Sequence, residues 1–249
     1  GVRSPRDAAM RTQRRRAAGA KVPSAEHSRP RSTPTGREPT RRAVLAGGGA
    51  GRTGHAGCTG NATPGDGNAV GDCTIASEPT VSDLPTPVAG NPDADVTVMV
   101  FEDYACPHCR TYHLEVFPTI AEEYLAPGRV RYEHHDLPIP VDERWSWWVA
   151  SAARGVQDTL GDQVFFEFAG LAFERQRDLS METVAEMAEA VGADPCAIQT
   201  DAGNESYRPV LEADRERGQE LGVSGTPSAF VSGESVPASL DGLRAAIEA

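Results

Sequence analysis

Hydrophobic and polar positions divide the chain into a polar N-terminal stretch and a strongly patterned remainder. Val96-Thr97-Val98-Met99-Val100-Phe101 is a short, nearly continuous apolar and β-branched run, the pattern of a mid-sheet strand covered on both faces. Leu114, Phe117, Ala121 and Tyr124 then recur at helical spacing, predicting a helix over 107–125, kinked at Pro118 and ended by Pro127-Gly128. Val130 and Tyr132 alternate with Arg129, Arg131 and Glu133 in a second strand, and strand, helix and strand together predict a right-handed crossover. His134 and His135, at the end of that strand, are read as structural or solvent-facing rather than catalytic.

A long helical region follows. Trp145, Trp148, Val149, Ala152 and Val156 mark one amphipathic face; Phe165, Phe168 and Ala172 a second; Val184, Met187, Ala188 and Val191 a third. These stripes are read as core. A further helix over 206–221, a strand at Ser228-Ala229-Phe230-Val231 and a last helix over 240–249 complete the pattern. No internal repeat is visible, and no window is long and apolar enough to predict a conventional spanning helix.

Composition adds an asymmetry. The 249 residues carry a formal charge of -12, but residues 1–57 hold 13 Lys+Arg against 3 Asp+Glu, so the remainder is strongly acidic. Such a surface repels phosphate backbones, and no nucleic-acid partner is expected of the folded part. Lys21 is the only lysine in the chain. A surface this acidic and this poor in lysine reads as adapted to high salt, where a Debye length of about 3 Å near 1 M screens the self-repulsion; an acidic protein of ordinary salinity is the alternative.

The basic segment has too few apolar residues to fold, so disorder is expected over residues 1–39, with Met10 a candidate start. Thr40-Arg41-Arg42-Ala43-Val44-Leu45 and the weakly apolar Ala46 to Gly51 resemble a twin-arginine export signal. His55-Ala56-Gly57-Cys58 is similar to a lipoprotein cleavage site, although His55 stands where an aliphatic residue is expected, making Cys58 the candidate lipid attachment point. Residues 58–92 then read as a flexible tether, with the folded domain over 93–249. An extracytoplasmic protein held at the outer face of the cytoplasmic membrane is the expectation. Setting Cys58 aside leaves Cys73, Cys106, Cys109 and Cys196 as an even set.

The chemistry lies in Phe101-Glu102-Asp103-Tyr104-Ala105-Cys106-Pro107-His108-Cys109, where a strand passes through a short turn into a helix. With Pro107 at the first helical position, Cys106 falls at the N-cap, where unpaired N–H groups and the positive dipole end favour a thiolate. Cys109 lies one turn along the same face, able to close a disulfide with Cys106 and to resolve a mixed disulfide. His108 is placed to stabilise the Cys106 thiolate. A lone Cys-x-x-Cys is also half a zinc knuckle, but no second pair stands at close spacing and His108 or His113 would complete a site only on a distorted helix; no metal is expected.

Cys106-Pro107-His108-Cys109 after a hydrophobic strand, the helical insertion over about 141–221, and then Gly222-Val223-Ser224-Gly225-Thr226-Pro227-Ser228-Ala229-Phe230-Val231 resemble the DsbA-type branch of the thioredoxin superfamily. The resemblance covers roughly residues 89–249, and Asp136-Leu137-Pro138-Ile139-Pro140 is similar to the loop entering the insertion. It implies an α/β thioredoxin fold, with the insertion between the strand-helix-strand half and the half that follows a cis-proline. Thr226 and Pro227 map to the threonine and cis-proline beside the cysteines, which present main chain to an extended substrate. The implied activity is thiol:disulfide exchange, with the cysteine pair as redox group and no added cofactor. The implied partners are thiol-containing exported proteins and a membrane redox partner. Some members carry a buried acid six residues before the first cysteine as proton acceptor for the second; Val100 stands there, leaving Glu102 or Asp103 to substitute if either points inward. Cys196 is open to two readings, an accessory disulfide with Cys73 or a buried free thiol. A reductase of the same fold and a thioredoxin-fold metal-binding module remain alternatives.

Overall fold

In the computed structural model the described residues are 73–75, 77, 79–139 and 141–249; the twin-arginine stretch, Cys58 and the expected disorder over 1–39 lie outside them. A five-stranded mixed sheet has the spatial order β1 (Val88–Gly90), β3 (Val130–Asp136), β2 (Val96–Glu102), β4 (Ser228–Val231), β5 (Glu234–Val236). β2 and β3 run parallel, with Val100 opposite His134 and Glu102 opposite Asp136, while the other pairs are antiparallel. β2 is therefore central, as its continuous apolar pattern predicts.

The helical run after β2 starts as α1 (Pro107–Thr111), widens to a π turn over Tyr112–Val116, returns to α2 (Phe117–Ile120) and widens again over Ala121–Leu125. The kink expected at Pro118 takes this form. Pro118 has no N–H to donate, and Phe117 bonds five residues back to Tyr112 O, a wider turn that makes room for the ring. Tyr112, Ile120 and Tyr124 from this run, with Leu243 and Ile247 from α8 (Leu240–Ile247), cover the sheet face of Val98, Val100, Val130 and Tyr132. Phe101, Leu137 and Phe230 form a smaller core on the opposite face.

The insertion is helical: α3 (Trp145–Leu160), α4 (Asp162–Glu174), a short 3-10 turn (Gln176–Asp178), α5 (Met181–Ala190), α6 (Pro195–Asn204) and α7 (Arg208–Glu220). Gly161, at φ 86°, makes the break between α3 and α4. Val149, Ala152, Val156, Phe165, Phe168, Ala172, Val184, Met187 and Ala188, all on the expected stripes, are buried in one core. Cys106 and Cys109 belong to that same core, so the insertion packs directly against the cysteine turn.

Two expectations need correction. The flexible tether over 58–92 does not describe its second half. Val81 N–H donates to Ser206 O at 2.7 Å, Pro85 O accepts from the Gln157 side chain at 2.9 Å, and Val88–Gly90 is an edge strand on β3. Proline-rich extended chain gives no periodic signal, and here Pro85 O is met by side chains of α3 and Pro87 O by the His134 N–H of β3. The second narrows the reading of His134 and His135 to its structural alternative. Neither is solvent-facing: β3 continues to Asp136, and the two are 0% and 5% exposed.

Candidate active site

The turn Asp103–Ala105 delivers Cys106 to the N-cap of α1, with φ -78° and ψ 120°, and Pro107 opens the helix. Cys106 is 4% exposed and Cys109 fully buried, both as thiols. As a thiol, Cys106 Sγ donates to the carbonyl oxygen of Thr226 across 3.4 Å, and the Thr226–Pro227 peptide is cis. Cys109 Sγ accepts from Asp103 N–H at 3.4 Å. Five of the six residues named from sequence, Cys106, Pro107, Cys109, Thr226 and Pro227, thus converge on one spot. The sixth, His108, is beside it, but its ring is exposed and makes no hydrogen bond to Cys106; its contribution to the sulfur comes from the backbone.

The two sulfurs are driven apart electrostatically. A hydrogen bond from Cys109, together with the side chain of Thr226 and the backbone of Cys109 and His108, outweighs burial and lowers Cys106 from 9.0 to about 5. Burial, the Cys106 thiolate and the charge of Glu102 push Cys109 far up. At neutral pH Cys106 is a thiolate and Cys109 a thiol.

Beneath the pair lies a buried charge network. Side chains alternate along a strand, so Glu102 shares a face with Val98 and Val100, and His134 and Asp136 share a face with Tyr132. His134 Nδ1 stands 3.3 Å from Glu102 Oε2 and its Nε2 3.3 Å from Asp136 Oδ1. His113, carried round by the π turn, lies 3.6 Å from the same Glu102 oxygen and stacks between Phe117 and Phe173. Arg154 joins Asp136 at 2.7 Å to Asp214 at 2.6 Å, and Asp214 accepts from His135 at 2.8 Å. Burial raises Glu102, but the two imidazoles more than offset it and its net shift is downward. Burial opposes protonation of His134, yet Asp136 and Glu102 prevail and raise it to about 9.

Asp103 points the other way, toward the insertion. Its carboxylate accepts from Ala105 N–H at 2.7 Å, Ile139 N–H at 2.8 Å and Ser146 Oγ at 2.9 Å. Gln176, in the 3-10 turn, donates to Tyr104 O at 2.7 Å and Cys106 O at 2.9 Å. Sequence reasoning missed Gln176, Ser146 and Arg154. Arg154 carried a signal, an arginine inside Ala152-Ala153-Arg154-Gly155-Val156, where a buried paired charge is the usual reason. Gln176 carried none, since Glu174 to Asp178 reads as a surface turn.

Cys73 and Cys196 are joined in a disulfide with Cα atoms 5.4 Å apart, and Cys196 is exposed, so the buried-thiol reading does not describe it. Among the described residues no group of three or more His, Cys, Asp and Glu side chains is arranged to hold a metal ion, and none of the helices is long and apolar enough to cross a membrane.

The family model described as Thioredoxin matches residues 82–249. Disulfide bond formation protein D of Bacillus subtilis is 26% identical over 168 residues, covering 65% of this chain and 73% of that protein. Among solved structures, oxidised BdbD from Bacillus subtilis superposes with a TM-score of 0.61 at 24% identity, covering 69% of this chain and 97% of that one, which shows a shared fold. A thioredoxin-like oxidoreductase from Silicibacter pomeroyi gives 0.54 at 28% identity, covering 66% and 90%.

Proposed function

We propose that this chain, which belongs to the thioredoxin family and is a DsbA-like thiol:disulfide oxidoreductase, works as a dithiol oxidase on exported proteins. One observation carries the direction. The reduced form holds a thiolate that the site stabilises, Cys106 at about 5, and whatever stabilises the reduced form makes the disulfide a stronger oxidant.

In this reading a client thiolate attacks Cys106 Sγ of the Cys106–Cys109 disulfide. The new bond joins client sulfur to Cys106, the old one breaks, and Cys109 leaves with the electron pair. Cys109 takes up a proton, because burial and Glu102 disfavour its anion. We assign Glu102 and His134 as its proton partners: Glu102 acts on Cys109 by charge, and the imidazole behind it holds a proton at neutral pH. A second client thiolate then attacks the client sulfur of the mixed disulfide, the client disulfide forms, and Cys106 departs as its stabilised thiolate. The Thr226 carbonyl beside the cis-proline lies next to Cys106, where an extended client would meet main chain. No added cofactor enters the cycle. A membrane partner accepting two electrons restores the disulfide, and the acidic, lysine-poor composition fits a high-salt setting outside the cell.

The test is the equilibrium potential of the cysteine pair against glutathione. A value above about -200 mV supports the oxidase direction, and one below about -250 mV assigns the chain to reduction instead.

A further inference from the structure

Asp103 is the only residue of the turn that holds both cysteines and the insertion at once. Its N–H donates to Cys109 Sγ, its carbonyl accepts from Cys106 N–H at 3.0 Å, and its carboxylate is gripped by Ile139 N–H ahead of α3 and Ser146 Oγ on α3. It is 1% exposed. All three donors to the carboxylate are neutral, from the turn itself, the connection into the insertion and α3; the charged neighbour bearing on it is Cys106.

We propose that Asp103 is a positioning residue whose carboxylate couples the redox state of the cysteine pair to the seating of the helical insertion. The inference rests on the exchange reading above and deepens it. In the disulfide form Cys106 carries no charge, and the carboxylate is free to ionise and hold the Ile139 and Ser146 donors at full strength. In the dithiol form a thiolate stands beside it. Repulsion then favours the neutral acid, a poorer acceptor, and the grip on the insertion loosens. Burial and that thiolate both raise Asp103, to about 6, so the exchange between the two states falls within reach of ordinary titration. Linkage makes the effect mutual: whatever seats the insertion more firmly also favours the carboxylate and disfavours a neighbouring thiolate.

The experiment is the pH profile of Cys106 alkylation by neutral iodoacetamide on the reduced chain, wild type against Asp103→Asn and Ser146→Ala. The wild type should show a first rise near pH 5 as Cys106 ionises and a second near pH 6 as Asp103 does. A neighbouring negative charge makes the thiolate more basic and so more nucleophilic, by about threefold per unit of basicity. In Asp103→Asn the first rise should remain, the second disappear, and the plateau fall about threefold. Ser146→Ala removes one donor from outside the turn and should move the second rise to higher pH while keeping its height, which serves as the readout if the Asn variant does not fold. Exchange of the Ile139 amide at pH 6 should be faster in the reduced than in the oxidised wild type. A single-step wild-type profile, or profiles that superimpose across all three proteins, overturns the assignment to Asp103 alone. A wild type that alkylates only above about pH 8 overturns the exchange reading, and this inference with it.

Discussion

The chain builds two cysteine sites on the same local motif and gives them opposite fates. At α1 the N-cap is Cys106, followed by Pro107; at α6 the N-cap is Asp194, followed by Pro195 and then Cys196. In the second case the Asp194 carboxylate already accepts from Cys196 N–H at 2.9 Å and Ala197 N–H at 3.0 Å. The helix terminus is satisfied by oxygen, and Cys196 is left to make an exposed bridge to Cys73, 123 residues away in sequence. In the first case no side chain caps the helix, and the sulfur itself takes the place of the capping anion. A cysteine becomes reactive here through what its sulfur meets in the fold, the Cys109 side chain first and the open N–H groups of α1 with it, and not through a following proline alone.

The largest effects should come from the pair at α1. Cys106→Ser replaces the stabilised thiolate by a hydroxyl that stays protonated, and turnover with a reduced client should fall by at least about a thousandfold. Cys109→Ser removes the leaving group, so the chain holds no disulfide to pass to a reduced client; its Cys106 thiolate can still attack an oxidised client, and without Cys109 to resolve them those mixed disulfides should accumulate on non-reducing gels. Full activity in Cys109→Ser would dissolve the distinction between the two sites, since a single sulfur would then suffice.

Removing the other bridge should show the reverse pattern. A Cys73→Ser, Cys196→Ser double variant should turn over within about twofold of wild type at 25 °C while losing about 3–5 kcal/mol of stability, the range for a closed loop of this length. For a domain of this size that is a fall in Tm of about 10 °C. A large loss of turnover with unchanged Tm would show that this pair takes part in exchange as well.

What could be read from sequence follows the same line between local and distant partners. The central strand, the N-cap cysteine and the Thr226–Pro227 turn are each announced by residues within a few positions of one another, because their physics is local. The edge strand Val88–Gly90 has only three residues and exists because β3 offers its ladder. His134 and His135 interrupt an alternation that looked finished at Glu133; they are buried because Glu102, Asp136 and Asp214 meet them, partners that only the fold brings in. Glu102 and Asp103 were legible as candidates but not as different ones, since which of two adjacent side chains joins the buried histidines and which turns to the insertion is decided by register. Gln176 and Ser146 reach the cysteine turn from the insertion and left no trace in the pattern.

The finest measure of the contrast is the pH dependence of stability in the two redox forms. Cys106 is depressed from 9.0 to about 5 in the folded dithiol, so its contribution is fully present above the unfolded value, shrinks as pH falls and vanishes below about 5. The disulfide form has no such group. The stability of the reduced protein relative to the oxidised one should therefore rise between pH 5 and 9, by at most about 1.4 kcal/mol per unit. Allowing for water around the sulfur, the gain at pH 7 should be on the order of 1–2 kcal/mol. Cys109 works in the opposite direction only above its unfolded value, near 9, where burying a thiol that cannot ionise begins to cost stability. Urea titrations of both redox forms at pH 5 and pH 7 measure the difference, and the Cys73–Cys196 bridge cancels between them if the reductant leaves it intact. If the two curves stay parallel, the thiolate is not stabilised by the fold, and the N-cap of α1 is no different in kind from that of α6.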